Sequence, residues 1–459
     1  MTTKNNCEFI FKPWAYNLQH ILWIGLFFGL PLSKGIASVA LIGIIIFTAV
    51  WLFARFKPAI YLIWQYKGVS VLILLPFAYL LGMVHTENIK RGFDFLYIIN
   101  ALLAVPIAVI AYRKQLFKHL STYIWSFLLS LWVSCLGVLL LNFIPHHTAA
   151  NIVQAANGLM LPFQAQSQNP MFGLYSPFID RLHLCNMLVL GVFTLFWWYV
   201  QRLKRPVQPS HQVAFFSTLL LLVSTIAILG GRAGQIGFVL ALAVWVIVFY
   251  KQVIHIRLKK RLGKTGSIAV LAITLLVFMV VVPYTTSKTI PAVYYRYEQL
   301  RWEISMLKSG DYQSVNYTEF TSLRRLLSWQ NHWQLVAQNW IWGVGTGDVR
   351  PELGKIYERT NQKQLMNIHH QWLYIWSALG VAGLLLLVWV WWLWLRSVLF
   401  LQQQAPINSW LSAWAISFFI LYMVVFNSDI PLNTQAGTMG FALFWSLIGL
   451  AKFYPFSNE

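Results

Sequence analysis

Charge is what this sequence lacks. Only 10% of its 459 residues are Asp, Glu, Lys or Arg, against roughly a quarter in a soluble globular chain. So little solvating surface excludes a soluble multidomain enzyme, a disordered protein and a coiled coil. Acidic residues are the scarcest, 13 against 34 basic ones. Cysteine is scarce too. Cys7, Cys135 and Cys185 are scattered, two of them inside apolar runs, with neither metal-ligand spacing nor the look of a disulfide framework. There is no repeat of fixed period and no low-complexity tract. Lys4 and Lys12 lead into an apolar run with no small-residue cleavage site, so no cleaved signal peptide is expected.

Apolar residues make up 58% of the chain and aromatics 16%, with a mean hydropathy of +0.61. At ~20 apolar residues per span, this length has room for about a dozen transmembrane helices. The apolar runs predict twelve, at 16–32, 36–54, 68–84, 92–111, 120–144, 184–201, 212–229, 233–250, 267–284, 370–395, 407–427 and 435–451. Pro, Gly and charges mark the breaks, as in Pro31-Leu-Ser-Lys-Gly35 and Arg202-Leu-Lys-Arg-Pro206. The predicted fold class is therefore an all-α polytopic membrane protein of about 12 transmembrane helices. It divides into helices 1–9 over 1–284, one long and partly helical loop over 285–368, and helices 10–12 over 369–459.

The net charge of +21 would suggest nucleic acid in a soluble chain. On this apolar background it points instead to membrane topology and anionic ligands, and no nucleic-acid partner is expected. Placing the N-terminus in the cytoplasm puts 19 Lys and Arg on that side and 15 outside, ten of the latter in the loop 285–368. Long loops barely count in the positive-inside rule. Without that loop the ratio is 19 to 5, which predicts cytoplasmic termini and an extracytoplasmic long loop.

The long loop has 84 residues, 10 basic and 7 acidic, too many for a connector. Tyr294 to Glu303 reads as an amphipathic, aromatic-rich helix. Thr321 to Asn339 reads as a second, with Leu323, Leu326, Leu327, Leu335 and Val336 as its apolar positions. Two helices resting on the outer leaflet would account for most of these residues. The smaller outer loop 145–183 carries His146, His147, Asp180, Arg181 and His183. Adjacent histidines on a helix point ~100° apart, so His146-His147 is a poor metal pair and no metal is expected there.

Three features ask for more than a structural explanation. Gly230-Gly-Arg-Ala-Gly234 is a tight turn between two spans, and its Arg232 runs against the charge bias of the outer side. An arginine at membrane depth costs ~2.5–3.5 kcal/mol on insertion scales. Arg232 either snorkels to lipid phosphate or forks onto a ligand phosphate. The second feature is Arg324-Arg325-Leu-Leu-Ser-Trp329, followed by Trp342-Gly-Val-Gly-Thr-Gly-Asp348. That glycine run lacks the Gly-Lys-Ser/Thr ending of a nucleotide loop and reads as a flexible turn. Of the paired arginines, one can be solvated while the other points inward. The third is Asn367-Ile-His-His-Gln-Trp-Leu373, where the long loop re-enters the membrane. On a continuous helix His369 would share a face with Leu373 and Trp376. It is either a structural hydrogen-bonder or a neutral imidazole poised as a base near pH 7.

Together these residues resemble the superfamily of O-antigen ligases and polymerases. The Gly-Gly-Arg-Ala-Gly turn is similar to that family's Ser-Arg-Gly start of a span. Arg325 stands four residues before Trp329, and Trp342-Gly-Val-Gly-Thr-Gly347 follows. His369-His-Gln-Trp-Leu373 with Leu379-Gly-Val-Ala-Gly383 is similar to the family's His-Asn-x-Tyr-Leu and later glycines. His370 replaces the usual Asn, and Trp340 stands where a Pro is common. The motifs cover about 228–385, and Tyr175 to His183 lies where the family has a polar patch.

The resemblance implies a bacterial inner-membrane glycosyltransferase of lipopolysaccharide biosynthesis. Such an enzyme moves a glycan from undecaprenyl pyrophosphate to an acceptor sugar hydroxyl, the lipid A-core in a ligase, on the periplasmic face. It implies Arg232 and Arg325 as the pyrophosphate-binding residues and His369 as the base, with Arg181, His183, Arg324 and His370 as weaker candidates. No metal and no cofactor is implied, since the arginines would replace the cation. A polymerase that extends the glycan would use the same residue types and stays open as the alternative. A polytopic transporter or flippase fits the topology, but span interiors almost free of charge speak against its coupling.

Overall fold

The computed structural model describes residues 13–143, 176, 178–202, 209–229, 231–254, 298, 301–306, 308–309, 321–360, 362, 369–399, 407–451 and 453. Among them, all regular structure is helical, and nine helices are long and apolar enough to cross a membrane. The chain is a multi-pass membrane protein. The expected span 267–284 and the loop segment holding His146 and His147 lie outside the described residues.

Every other expected span is a helix, with ends shifted by a few residues. The elements are α1 (Pro13–Leu32), α2 (Lys34–Ala54), α3 (Phe56–Gln65), a broken α4 (Lys67–His85), α5 (Ile89–Ala111), α6 (Arg113–Lys118) and α7 (Leu120–Phe143). They continue with α8 (Arg181–Arg202), α9 (Pro209–Leu229), α10 (Arg232–Phe249), α11 (Thr321–Gln338), α12 (Val349–Arg359), α13 (Gln371–Leu399), α14 (Ile407–Phe426) and α15 (Gln435–Ala451). Two short helices, α3 and α6, occupy segments that read as connectors.

Bilayer lipid is as apolar as the helices, so van der Waals fit rather than water exclusion decides the packing. Tryptophan supplies much of that fit. Trp394 stacks on Trp445 at 4.8 Å, Trp391 meets Trp445 edge-on at 4.9 Å, and Trp197 stacks on Trp414 at 4.6 Å, joining α13 to α15 and α8 to α14. Buried hydroxyls return to the preceding turn, as Ser417 does to the Ala413 carbonyl and Ser446 to that of Ala442, both at 2.7 Å. The opposite helix faces carry exposed Ile42, Ile46, Phe53, Leu81 and Leu220, as a lipid-facing surface should.

One end of the bundle, the loop face, gathers α11, α12 and the ends of several spans. The glycine run there is a turn, as expected, but a packed one. Val344 N–H donates to the Ser377 carbonyl (2.7 Å), Gly345 N–H to that of Ala378 (3.1 Å) and the Thr346 hydroxyl to that of Tyr79 (2.6 Å). The Asp348 carboxylate accepts from the Glu87 and Asn88 amides at 2.8 and 2.9 Å. Gly380 opens α13 with a φ of +66°, and a side chain there would strike the Ile341 carbonyl. The free Ser377 and Ala378 carbonyls around this break receive the turn's amides, so the α13 interruption and the glycine turn satisfy each other.

Candidate active site

The site is assembled by small residues and short polar tethers. Gly234 lies one turn into α10, where a Cβ would come within 2.6 Å of Cys185 Sγ and 3.2 Å of Asn186 Oδ1. Glycine therefore lets the start of α10 close onto the start of α8. Gln235 satisfies the end of α9, donating Nε2 to the carbonyls of Ile226 (3.0 Å) and Ala227 (3.2 Å). This ties the end of α9 to the first turn of α10, where Arg232 lies within electrostatic range of Arg181.

Two like charges this close need counter-charge. Arg232 Nη1 lies 3.8 Å from Glu303 Oε2, and the Glu303 side chain is fully buried. Glu303 sits on the helical stretch 301–306 of the long loop. Its neighbour Trp302 is exposed, so this stretch presents an aromatic outward and a carboxylate inward. Asp180, just before α8, accepts from the Leu182 amide at 2.8 Å and faces His183 Nδ1 at 3.5 Å. Burial by itself would raise the Asp180 carboxyl, but His183, the Leu182 amide and Arg181 outweigh it and hold it below the usual range.

Arg325 enters from α11. That helix buries Leu323, Leu327, Leu335 and Val336 as its spacing predicts, with Leu326 half-buried. Trp329 lies one turn beyond Arg325 on the same face and donates Nε1–H to the His369 carbonyl at 2.9 Å. Burial lowers the Arg325 guanidinium from its ordinary value; Asp429 and Glu303 oppose the shift, and Arg232 and Arg181 add to it. The same residues are thus its electrostatic neighbours, and it remains a cation at neutral pH. Arg324 goes elsewhere, beside Tyr357 of α12. It is half-buried rather than solvated, with an Nε that has no hydrogen-bond partner.

The two histidines do not lie within a helix, contrary to the expected span from 370, because α13 begins at Gln371. The helical angle between them therefore decides nothing. What separates them is the use of their rings. His370 Nδ1 accepts the Leu373 amide at 3.3 Å, as a cap on the first turn of α13, and Trp329 meets the ring edge-on at 5.3 Å. Burial holds His370 neutral, with a pKa lowered to about 4. His369 instead presents Nδ1 to Asp429 Oδ1 at 3.7 Å. Gln371 fixes that approach from the next position, donating to Asn433 Oδ1 at 3.4 Å and accepting the Leu432 amide at 3.0 Å.

Asp429 completes the set. It follows α14, accepts the Ile430 amide at 2.9 Å and has His369 and His183 as neighbours. Burial would raise its carboxyl; His369, His183 and the Ile430 amide more than offset this and keep it ionised below the usual range. His183 is engaged at both nitrogens, with Asp180 on one side and the Thr434 hydroxyl on the other at 2.5 Å. Arg181, Arg232, Arg325, His183 and His369 are thus brought together, while Arg324 and His370 lie on their structural flank. Sequence reasoning missed Glu303 and Asp429. The only signal for Asp429 was a lone carboxylate beside a span end, and for Glu303 a carboxylate ending an aromatic-rich helix.

Among the described residues, no group of three His, Cys, Asp or Glu side chains converges as metal ligands would. The donor set is guanidinium-rich. Its guanidiniums lie within electrostatic range of one another, an arrangement suited to a polyanionic group.

No curated protein matches the chain. Residues 216–388, which run from α9 through α10, α11 and α12 into α13, match the family described as O-antigen ligase. That stretch carries Arg232, Glu303, Arg325 and His369. Over that stretch the chain carries a domain of the O-antigen ligase family, whose members are of the ligase or polymerase type.

Proposed function

We propose that this protein transfers a glycan from undecaprenyl pyrophosphate to a sugar hydroxyl of a lipid A-core acceptor, as an inverting ligase. The site faces the periplasm, and the termini of this inner-membrane protein lie in the cytoplasm. The convergence of Arg232 and Arg325 with the His369–Asp429 pair carries this reading. Such a donor brings two or three negative charges to one spot, and its leaving group gains another as the glycosidic bond breaks. Arg232 and Arg325 hold that pyrophosphate and stabilise the developing charge, with Arg181 adjoining. They supply the charge that a divalent cation supplies elsewhere, and the pyrophosphate leaves without a general acid.

Asp429 on the Nδ1 side of His369 selects the tautomer with hydrogen on Nδ1, leaving the Nε2 lone pair for the acceptor. The 3.7 Å separation is longer than a hydrogen bond, and such contacts tighten when substrate binds. His369 Nε2 takes the acceptor hydroxyl proton while the oxygen attacks the anomeric carbon. The bond from that carbon to the pyrophosphate oxygen breaks on the opposite face. The products are the inverted glycoside, free undecaprenyl pyrophosphate and a protonated histidine.

The surface glycolipid profile of a deletion strain tests the assignment. A lost polymer ladder with accumulated lipid-linked polymer is the ligase outcome. A band one repeat long would assign the same residues to a polymerase, and an unchanged profile would overturn both.

A further inference from the structure

Glu303 takes no part in the transfer chemistry above, yet its carboxylate is fully buried against Arg232. Among the described residues the cluster holds three guanidiniums, Arg181, Arg232 and Arg325, and three carboxylates, Asp180, Glu303 and Asp429. Their formal charges cancel. These described charges offer an incoming pyrophosphate no net positive charge, and its own charge is costly in a poorly hydrated site unless a carboxylate gives way.

The three carboxylates are not equivalent. Asp180 is fixed at the start of α8 by the Leu182 amide and His183, and Asp429 is fixed after α14 by the Ile430 amide and His369. Both are tied to backbone beside spanning helices. Glu303 stands on 301–306, outside the spanning helices, and it occupies the same guanidinium that a donor phosphate requires. The Arg232 Nη1–Glu303 Oε2 separation is 3.8 Å, longer than a direct contact between a guanidinium and a phosphate oxygen.

We propose that Glu303 is a built-in competitor for the donor's pyrophosphate at Arg232, which limits the affinity of the site for diphosphates and speeds departure of the pyrophosphate product. The inference rests on the diphosphate reading above. No bond is made or broken; one anion replaces another on a shared cation. Because the competition is electrostatic, it weighs more on a pyrophosphate than on a monophosphate of the same lipid.

Binding of farnesyl pyrophosphate and farnesyl monophosphate to the purified full-length protein in lipid nanodiscs tests this. Wild type, Glu303→Gln and Arg232→Ala are compared after matching their melting temperatures. Glu303→Gln is expected to bind the pyrophosphate about tenfold tighter or more, roughly 1.4 kcal/mol per tenfold, with a smaller gain for the monophosphate. In transfer assays both KM for the donor and kcat should fall, as product lingers. Weaker or unchanged pyrophosphate binding by Glu303→Gln, beside its loss in Arg232→Ala, would overturn the competition and leave the diphosphate site standing. Wild-type pyrophosphate binding by Arg232→Ala would instead overturn the diphosphate reading itself. If Glu303→Gln does not fold, Glu303→Asp draws the charge back by one methylene and should give a partial gain; no gain counts against the proposal.

Discussion

Two polar regions on the loop face are built to different tolerances. Around the glycine turn, contacts run from 2.6 Å at Thr346–Tyr79 through 2.7 Å at Val344–Ser377 to 2.8 and 2.9 Å at Asp348. In the arginine cluster the charged side chains stand further apart: 3.5 Å for His183–Asp180, 3.7 Å for His369–Asp429 and 3.8 Å for Arg232–Glu303. These donors of the first region go to backbone carbonyls or to a carboxylate and so fix α4, α5, α12 and α13 to one another. In the second, the carboxylates hold backbone amides at 2.8 and 2.9 Å while these charged side chains face one another at 3.5–3.8 Å. If the second region is the proposed transfer site and the first a structural joint, substitutions in the two should separate activity from stability.

The largest effect is expected in the joint. Gly380→Ala meets both a left-handed backbone and the Ile341 carbonyl. The backbone conformation alone costs about 1–3 kcal/mol, before the overlap is counted. Little folded protein should be recovered, as measured by size-exclusion profile and thermal unfolding; a normal yield and melting temperature would show that the joint is soft.

Within the site, Arg325→Ala should fold normally and lose transfer, whereas Arg324→Ala, beside Tyr357, should be mild. Arg232→Lys should be damaging although charge is kept, because an ammonium cannot fork onto two phosphate oxygens. Transfer rates of the purified variants decide this, and equal losses at 324 and 325 would contradict the separation.

A smaller effect distinguishes the adjacent histidines. His370→Asn keeps a side chain able to cap α13 and should be nearly neutral. His370→Ala should lower stability by about 0.5–2 kcal/mol while leaving transfer near wild type. Loss of transfer in a stable His370→Asn would move the base to the second histidine.

A last effect, confined to acidic solution, is on pH dependence. Burial lowers His332 to about 3, with His370 adding to the shift, and lowers His370 to about 4. Both bind protons more weakly folded than unfolded, where a histidine titrates near 6.5. Their contribution is therefore complete above pH ~6.5 and is lost as pH falls from there towards 4 and 3. The melting temperature should drop across that window, and less steeply in His332→Phe; an unchanged slope would contradict the assignment.

How much of this was legible in the sequence follows from the range of the forces. Apolar runs predicted every described span, because a bilayer imposes length and hydropathy locally. Arg232, Arg325 and His369 stood out as polar residues at the edges of apolar runs, in an order shared with a family. Asp429 lies 60 residues from His369, and the Gln371 bonds to the 431–433 turn help bring the two together. Glu303 read as one polar position on an interfacial helix, since nothing local says which face closes on Arg232. The α12 helix carried a usable signal in buried Val349, Leu353, Ile356 and Tyr357 at helical spacing. The glycine turn was underestimated because its rigidity comes from carbonyls freed at Gly380, far along the chain.

The most direct test of the central claim is single-turnover transfer by His369→Ala in lipid, with one lipid-linked donor and its acceptor, beside wild type of matched melting temperature. The account predicts a folded protein that still binds donor and has lost a factor of ~10²–10⁴ in rate. Full activity in that variant would remove His369 from the chemistry and contradict the account.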